Sequence, residues 1–360
     1  MAVKPGLLAR LARWFERSLL WLIALSMVLG ALIGFTWPGA APELRRYIDF
    51  TLYLMLYPMM VGVQVEQVAR AVKEIKPISW SLFFNFVFSP LLGWLIALLL
   101  LRHHPEFAAG LVLLAATPCA GMVVGWTGLG RGNVPLALVI VVVSLLLSIV
   151  TIPATTYLLA GTFVRLDAVA IMKSTLTVIL VPLVAGDVTR RLILARWGSA
   201  GFQAVRPALP PLSMLGMFGI ITISVANGAP QMAAHWTGTL LALPALALFY
   251  VLQLAATVNA ARRFGFRPGE IVALVNAVVG KNVSLALGLA VHFFGPVTAA
   301  MLAVNPLLQA PTMAWIYRWA VRLQRSKEAE STGAEGVVVN FRKKETEAGA
   351  RDNMEGVGRR

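Results

Sequence analysis

Ala115-Ala116-Thr117-Pro118-Cys119-Ala120-Gly121-Met122 and Ala277-Val278-Val279-Gly280-Lys281-Asn282-Val283-Ser284 each interrupt a long apolar run near its middle. A plain membrane helix would be uniformly apolar there. These two carry a proline, glycines, an asparagine and a lysine. Non-helical backbone deep in a bilayer survives only inside protein or beside a water-filled cavity, because lipid offers no partner for a free N–H or C=O. Breaks at matching places in the two halves of a chain point to inverted repeats, with discontinuous helices that cross at the midplane. The unwound backbone there supplies hydrogen-bonding groups to a solute.

Outward from the two breaks, the apolar runs recur along the chain. They predict spans at 18–37, 47–65, 78–101, 107–129, 134–160, 168–190, 208–228, 237–260, 269–294 and 297–319. Each approaches the roughly 20 residues that a 30 Å hydrocarbon core requires. Turn formers mark the links: Pro38-Gly39, Gly132-Asn133, Gly228-Ala229-Pro230 and Pro268-Gly269. The broken runs are the fourth and the ninth, each fourth in a five-span half. The expected fold is therefore an all-α polytopic membrane protein of ten transmembrane helices in two inverted five-helix repeats. Residues 1–17 form a cytoplasmic N-terminal segment, 18–325 the transporter domain, and 326–360 a disordered cytoplasmic tail.

Composition agrees. Hydrophobic residues make up 58% of the chain and charged ones 13%, against roughly 25% charged in soluble domains. The net charge of +15 does not mark a nucleic-acid binder, because the basic residues cluster between apolar runs, where they encode topology. One side holds 19 Lys and Arg, from Lys4 through Arg131 to Lys327, and the other holds five: Arg45, Arg46, Arg102, Arg165 and Lys173. The 19-residue side is cytoplasmic by the positive-inside rule. Both termini then lie inside, and the span count must be even. The location is the inner (plasma) membrane, in contact with lipid. Oligomeric state is open.

Enzyme chemistry finds little support. His103, His104, His235 and His292 lie near span ends and form no metal-binding spacing. No cofactor motif is present, and the single cysteine, Cys119, excludes an intrachain disulfide. Lys281 stands out instead. A lone charge midway along a span costs at least roughly 2.5–3.5 kcal/mol, and no acid lies at its depth. It is expected to be neutral, paired with an anionic solute, or in a wet cavity. Cys119 beside the break is either a small hydrophobe or a soft ligand for a metal or metalloid.

Several segments, in order, resemble the Acr3-type arsenite efflux permeases, relatives of the bile acid/sodium symporters. They are Leu54-Met55-Leu56-Tyr57-Pro58, Asn85-Phe86-Val87-Phe88-Ser89-Pro90, and His104-Pro105-Glu106-Phe107 with Gly110-Leu111. Cys119 through Trp126, with Leu129 and Arg131-Gly132, resembles that family's cysteine signature without a gap. Pro182-Leu183-Val184-Ala185-Gly186 with Thr189-Arg190, and Asn282 with Leu285-Ala286 and Phe294-Gly295, follow in register. The resemblance covers roughly residues 14–325. It implies a panel and a core domain, and a transport role for Cys119 as the metalloid ligand. The sequence also departs from that family. Pro118 replaces an arginine, Ser284 a glutamate, and Gln309 an acid, so the usual proton carriers of an antiporter are missing. The expected substrate site comprises Cys119, Lys281, Asn282, Ser284, Gln309, Pro118 and Trp126. The expected function is efflux of arsenite or a similar metalloid oxyacid. The alternative is a sodium-independent transporter of a small organic or inorganic anion, with Lys281 as counter-charge.

Overall fold

A computed structural model describes residues 7–37, 39–62 and 75–324. The 326–360 tail, and the end of the expected 47–65 span, lie outside them. Among the described residues the chain is helical, and it holds no strand beyond one isolated antiparallel bridge.

The helices are α1 (Leu7–Thr36), α2 (Ile48–Val61) and α3 (Ile75–Leu100). Next come α4 (Pro105–Ala116), α5 (Met122–Leu129) and α6 (Val134–Leu159). α7 starts at Ala168–Thr175 and passes through a π-helical turn, Leu176–Leu180, into Val181–Val205. α8 (Leu209–Ala234), α9 (Trp236–Arg263), α10 (Pro268–Val279), α11 (Val283–Phe293) and a last helix, α12 (296–324), complete the order. By length and composition, four helical stretches can cross a membrane: Ile75–Leu100, Val134–Thr162, Ala168–Ala234 and Trp236–Arg263. The third is two helices in one, bent at Gly198, whose φ of 65° and ψ of −168° suit only glycine.

One sequence expectation needs correction. Gly228-Ala229-Pro230 is not a link. It lies inside α8, and only His235 separates α8 from α9. Pro230 removes the N–H that would otherwise bond the Ala226 carbonyl one turn back. The first helix starts at Leu7 and so runs on ahead of the expected 18–37 span, whose apolar stretch is Trp21–Thr36.

The helices pack in two groups. α8 lies against α1 and α2, and α2 against α7. Small residues allow the close approach: a Cβ on Gly30 of α1 would stand 2.6 Å from the Thr222 carbonyl oxygen of α8. In the second group α3 packs on α4 and α9, α9 on α10, and α5 and α10 on α6. Fully buried apolar residues occur in both groups, among them Leu52, Met55, Leu56, Ile220 and Ile221 in the first and Leu111, Leu113, Val275 and Val279 in the second.

Candidate functional site

Both apolar runs that the sequence marked as broken do stop and restart. α4 ends at Ala116 because Pro118 disfavours helical backbone at the residue before it. Thr117 is accordingly extended, with φ −71° and ψ 148°. Helix resumes at Met122. α10 ends at Val279, and α11 begins after Asn282, whose side-chain oxygen accepts from the Leu285 N–H at 3.1 Å and caps the new helix. Gly280 is held to glycine by space rather than by its backbone angles. A Cβ there would lie 2.5 Å from Val123 Cγ2 and 2.7 Å from the Asn276 carbonyl oxygen.

The two breaks meet. The Ala120 N–H donates to the Gly280 carbonyl at 2.8 Å, and the Asn282 N–H donates to the Pro118 carbonyl at 2.9 Å. Cys119 and Lys281 face each other as an antiparallel pair between those bonds. A helix end leaves up to four carbonyls without intrahelical partners, and those at this crossover are taken by side chains. Gln253 of α9 donates to the Val278 carbonyl at 2.6 Å, Gln309 of α12 to the Lys281 carbonyl at 2.8 Å, and Asn85 of α3 to the Ala277 carbonyl at 3.3 Å. Ser89 Oγ donates to the Ala115 carbonyl at 3.0 Å. Asn305 donates to Gln309 Oε1 at 3.4 Å, and Asn305 Oδ1 accepts from the Tyr250 hydroxyl at 3.0 Å.

Lys281 has no exposed surface. Its Nζ donates to Asn85 Oδ1 at 3.0 Å, the Ala115 carbonyl at 3.0 Å, the Thr117 carbonyl at 3.2 Å, and the Asn85 carbonyl at 3.5 Å. Each oxygen is available for a local reason. The Ala115 and Thr117 carbonyls are left over by the end of α4, which also favours a cation through the helix dipole. Asn85 lies in a π-helical turn, Phe84–Phe88, where the Ser89 N–H reaches back to the Phe84 carbonyl rather than to that of Asn85. In that register the Asn85 carbonyl would await the N–H of residue 90, which is a proline and has none. The sequence expectation for Lys281 (neutral, solute-paired or wet) did not include this arrangement, in which the protein's own oxygens surround it.

Cys119 is 1% exposed, and its Sγ lies 3.2 Å from Ser144 Oγ of α6. The Ser144 hydroxyl donates to the Val141 carbonyl at 3.1 Å, so the Cys119 thiol is the donor of the pair. Asn282 and Gln309 are each 2% exposed, and Pro118 is buried. Among the expected site residues only Ser284, in the first turn of α11, and Trp126, on α5, are half-exposed, and neither joins this network. The structure thus gathers Pro118, Cys119, Lys281, Asn282 and Gln309 and sets Ser284 and Trp126 apart. Sequence reasoning quoted Asn85 but gave it no role, and it missed Ser144 and Gln253. The available signal was the same for all three, a polar side chain inside an apolar run. Just past the break, the surroundings of Gly121, which precedes α5, and of Gly125 on α5 are open. Two cavities, of about 480 and 650 Å³, lie elsewhere, beside α1, α8, α9 and α12, and neither is lined by a break residue.

Long apolar helices and two interrupted helices sealed to each other by backbone and amide hydrogen bonds define a multi-pass membrane protein of the transporter class. The chain belongs to the Sodium Bile acid symporter family, whose pattern matches residues 49–235. It is similar to the Arsenical-resistance protein Acr3 of Corynebacterium glutamicum, 22% identical over 86% of this chain and 88% of that one. It is also similar to the protein of the same name from Alkaliphilus metalliredigens, 26% identical over 83% of this chain and 90% of that one. An uncharacterized transporter of Synechocystis sp. is 27% identical over 83% and 86%.

Proposed function

We propose that this protein is a secondary transporter that exports arsenite or a similar metalloid oxyacid by alternating access around the α4/α5 and α10/α11 breaks. The observation that carries this reading is the direct pairing of the two breaks through Ala120–Gly280 and Asn282–Pro118. It places the thiol of Cys119 where two helices end. Two relatives named for arsenical resistance, aligned over most of their length, supply the substrate class. With a single cysteine in the chain, contact with the metalloid is through one thiol, aided by hydroxyl and carbonyl groups. The substrate approaches from the cytoplasmic side, past the open glycine face of α5.

We read ten spans in two inverted five-helix repeats. The packing supports this. Exchanging the first five spans for the second five turns the α1–α8 contact into α7–α2, and the α3–α4 contact into α9–α10, and all four contacts occur. The 19-to-5 charge asymmetry puts both termini in the cytoplasm of an inner-membrane protein. The reading of Lys281 as counter-charge for an anion has less behind it, because its Nζ already donates to oxygens of the chain.

The test is expression in a cell stripped of its own arsenite exporters. Wild type restores growth on arsenite and Cys119→Ser does not. Failure of wild type to confer resistance rejects the metalloid substrate and turns the search to anions.

A further inference from the structure

Lys281 is the buried basic side chain at the crossover, and no carboxylate is among its partners in the described residues. Its four contacts are oxygens: an amide oxygen and three backbone carbonyls. An –NH3⁺ group has three donors and no acceptor. A neutral amine would aim a lone pair at one of these oxygens, so the geometry suits the ammonium. Neutral carbonyl and amide oxygens converging on a small positive sphere are also the ligand set that hard, free cations take, and carbonyl rings replace the hydration shell of monovalent ions in the same way. The N–O distances of 3.0–3.2 Å for the three nearest oxygens suit a sphere of ammonium or potassium size.

We propose that Asn85, Ala115 and Thr117 form a monovalent-cation site that the chain fills with its own lysine, so that Lys281 acts as a tethered ion. The charge that neutralises the carbonyl ends of α4 is then part of the chain itself. It neither enters with the solute nor leaves with it, and the crossover needs no free sodium or potassium to close. The functional half of this inference rests on the transporter reading above. The site itself does not, and it is tested without substrate.

The experiment uses the purified full-length chain in detergent and follows thermal unfolding at fixed ionic strength in sodium, potassium, ammonium or choline chloride. A ligand at concentration L that binds only the folded state stabilises it by RT ln(1 + L/Kd), so the midpoint climbs with the logarithm of its concentration above Kd. Wild type is expected to unfold at the same temperature in all four salts. Lys281→Ala vacates the cage and is expected to unfold at a lower temperature in choline. Its midpoint should then rise with the logarithm of ammonium or potassium concentration, and not with choline. If the Ala variant does not fold, Lys281→Gln is read the same way, and wild type is tested alone for binding of radioactive sodium and rubidium. Selective stabilisation of wild type by sodium or potassium, or its binding of either tracer, overturns the tethered-ion proposal. So does indifference of both folded variants to all the small cations. Loss of arsenite resistance in cells, with these salt effects as expected, would leave the cation site standing and reject only the substrate.

Discussion

Asn85→Ala should strain the crossover more than any other single truncation in α3. The substitution removes the Oδ1 that Lys281 Nζ reaches at 3.0 Å, and the Nδ2 that donates to the Ser81 carbonyl at 3.1 Å and the Ala277 carbonyl at 3.3 Å. Asn85 has no exposed surface, so water does not replace these bonds. A hydrogen bond to a charged group contributes about 1.5–3 kcal/mol, and each neutral one about 1 kcal/mol. Their sum is about 3.5–5 kcal/mol. At about 2–4 °C per kcal/mol for a chain larger than a small domain, the midpoint falls by roughly 10 °C. The assay is thermal unfolding of the purified protein, run as a double-mutant cycle with Lys281→Ala. Groups in direct contact show coupling of about 0.5–3 kcal/mol, so Asn85→Ala should cost clearly less once Lys281 is gone. Additivity within about 0.5 kcal/mol would show that Asn85 does not hold the ammonium.

Three other outcomes follow from the same geometry. Gly280→Val drives a side chain into Val123 and the Asn276 carbonyl and is expected to destabilise by about 1–3 kcal/mol, read as lower yield and an earlier unfolding midpoint. Pro90→Ala returns an N–H to residue 90, which competes for the Asn85 carbonyl. Transport should fall while the unfolding midpoint stays near that of wild type, and unchanged flux would mean the π-helical turn has no part in the cage. Cys119, at 1% exposure and with no other cysteine in the chain, should react with a maleimide far more slowly than an exposed thiol. Arsenite should change that rate, whereas labelling as fast as a free surface cysteine would contradict the closed crossover.

The breaks were legible in the sequence because proline and a glycine-lysine-asparagine run are conspicuous in apolar surroundings. The helix edges were legible where caps exist, as at Asn133, whose Oδ1 accepts from the Leu136 N–H at 3.0 Å, and at Pro105 and Pro268. The Gly228-Ala229-Pro230 stretch misled because local turn chemistry there is overridden by packing of α8 against α1 and α2. At the site, Cys119 and Lys281 announced themselves by being unique. Their partners did not. Asn85, Ser144 and Gln253 reach the crossover from three other helices, at separations of 25–196 residues from the groups they bind. No local pattern encodes such contacts. The role of backbone carbonyls as partners of Lys281 was also invisible, since it depends on a π-helical register and on where α4 ends.

The two hydrogen bonds between the breaks also have a mechanical meaning. Pulling α4 away from α10 must rupture both at once, in surroundings without water, and strip the ammonium of its oxygens in the same step. The crossover is thus a stiff joint. The seam where Gly30 rides on the Thr222 carbonyl packs against Val225 and is tied by the Thr222 hydroxyl, which donates to the Ser26 carbonyl at 3.2 Å, a bond on a rotatable side chain rather than between two backbones. A load placed on the protein by a changing bilayer would therefore leave the rivet intact and appear as sliding along that seam.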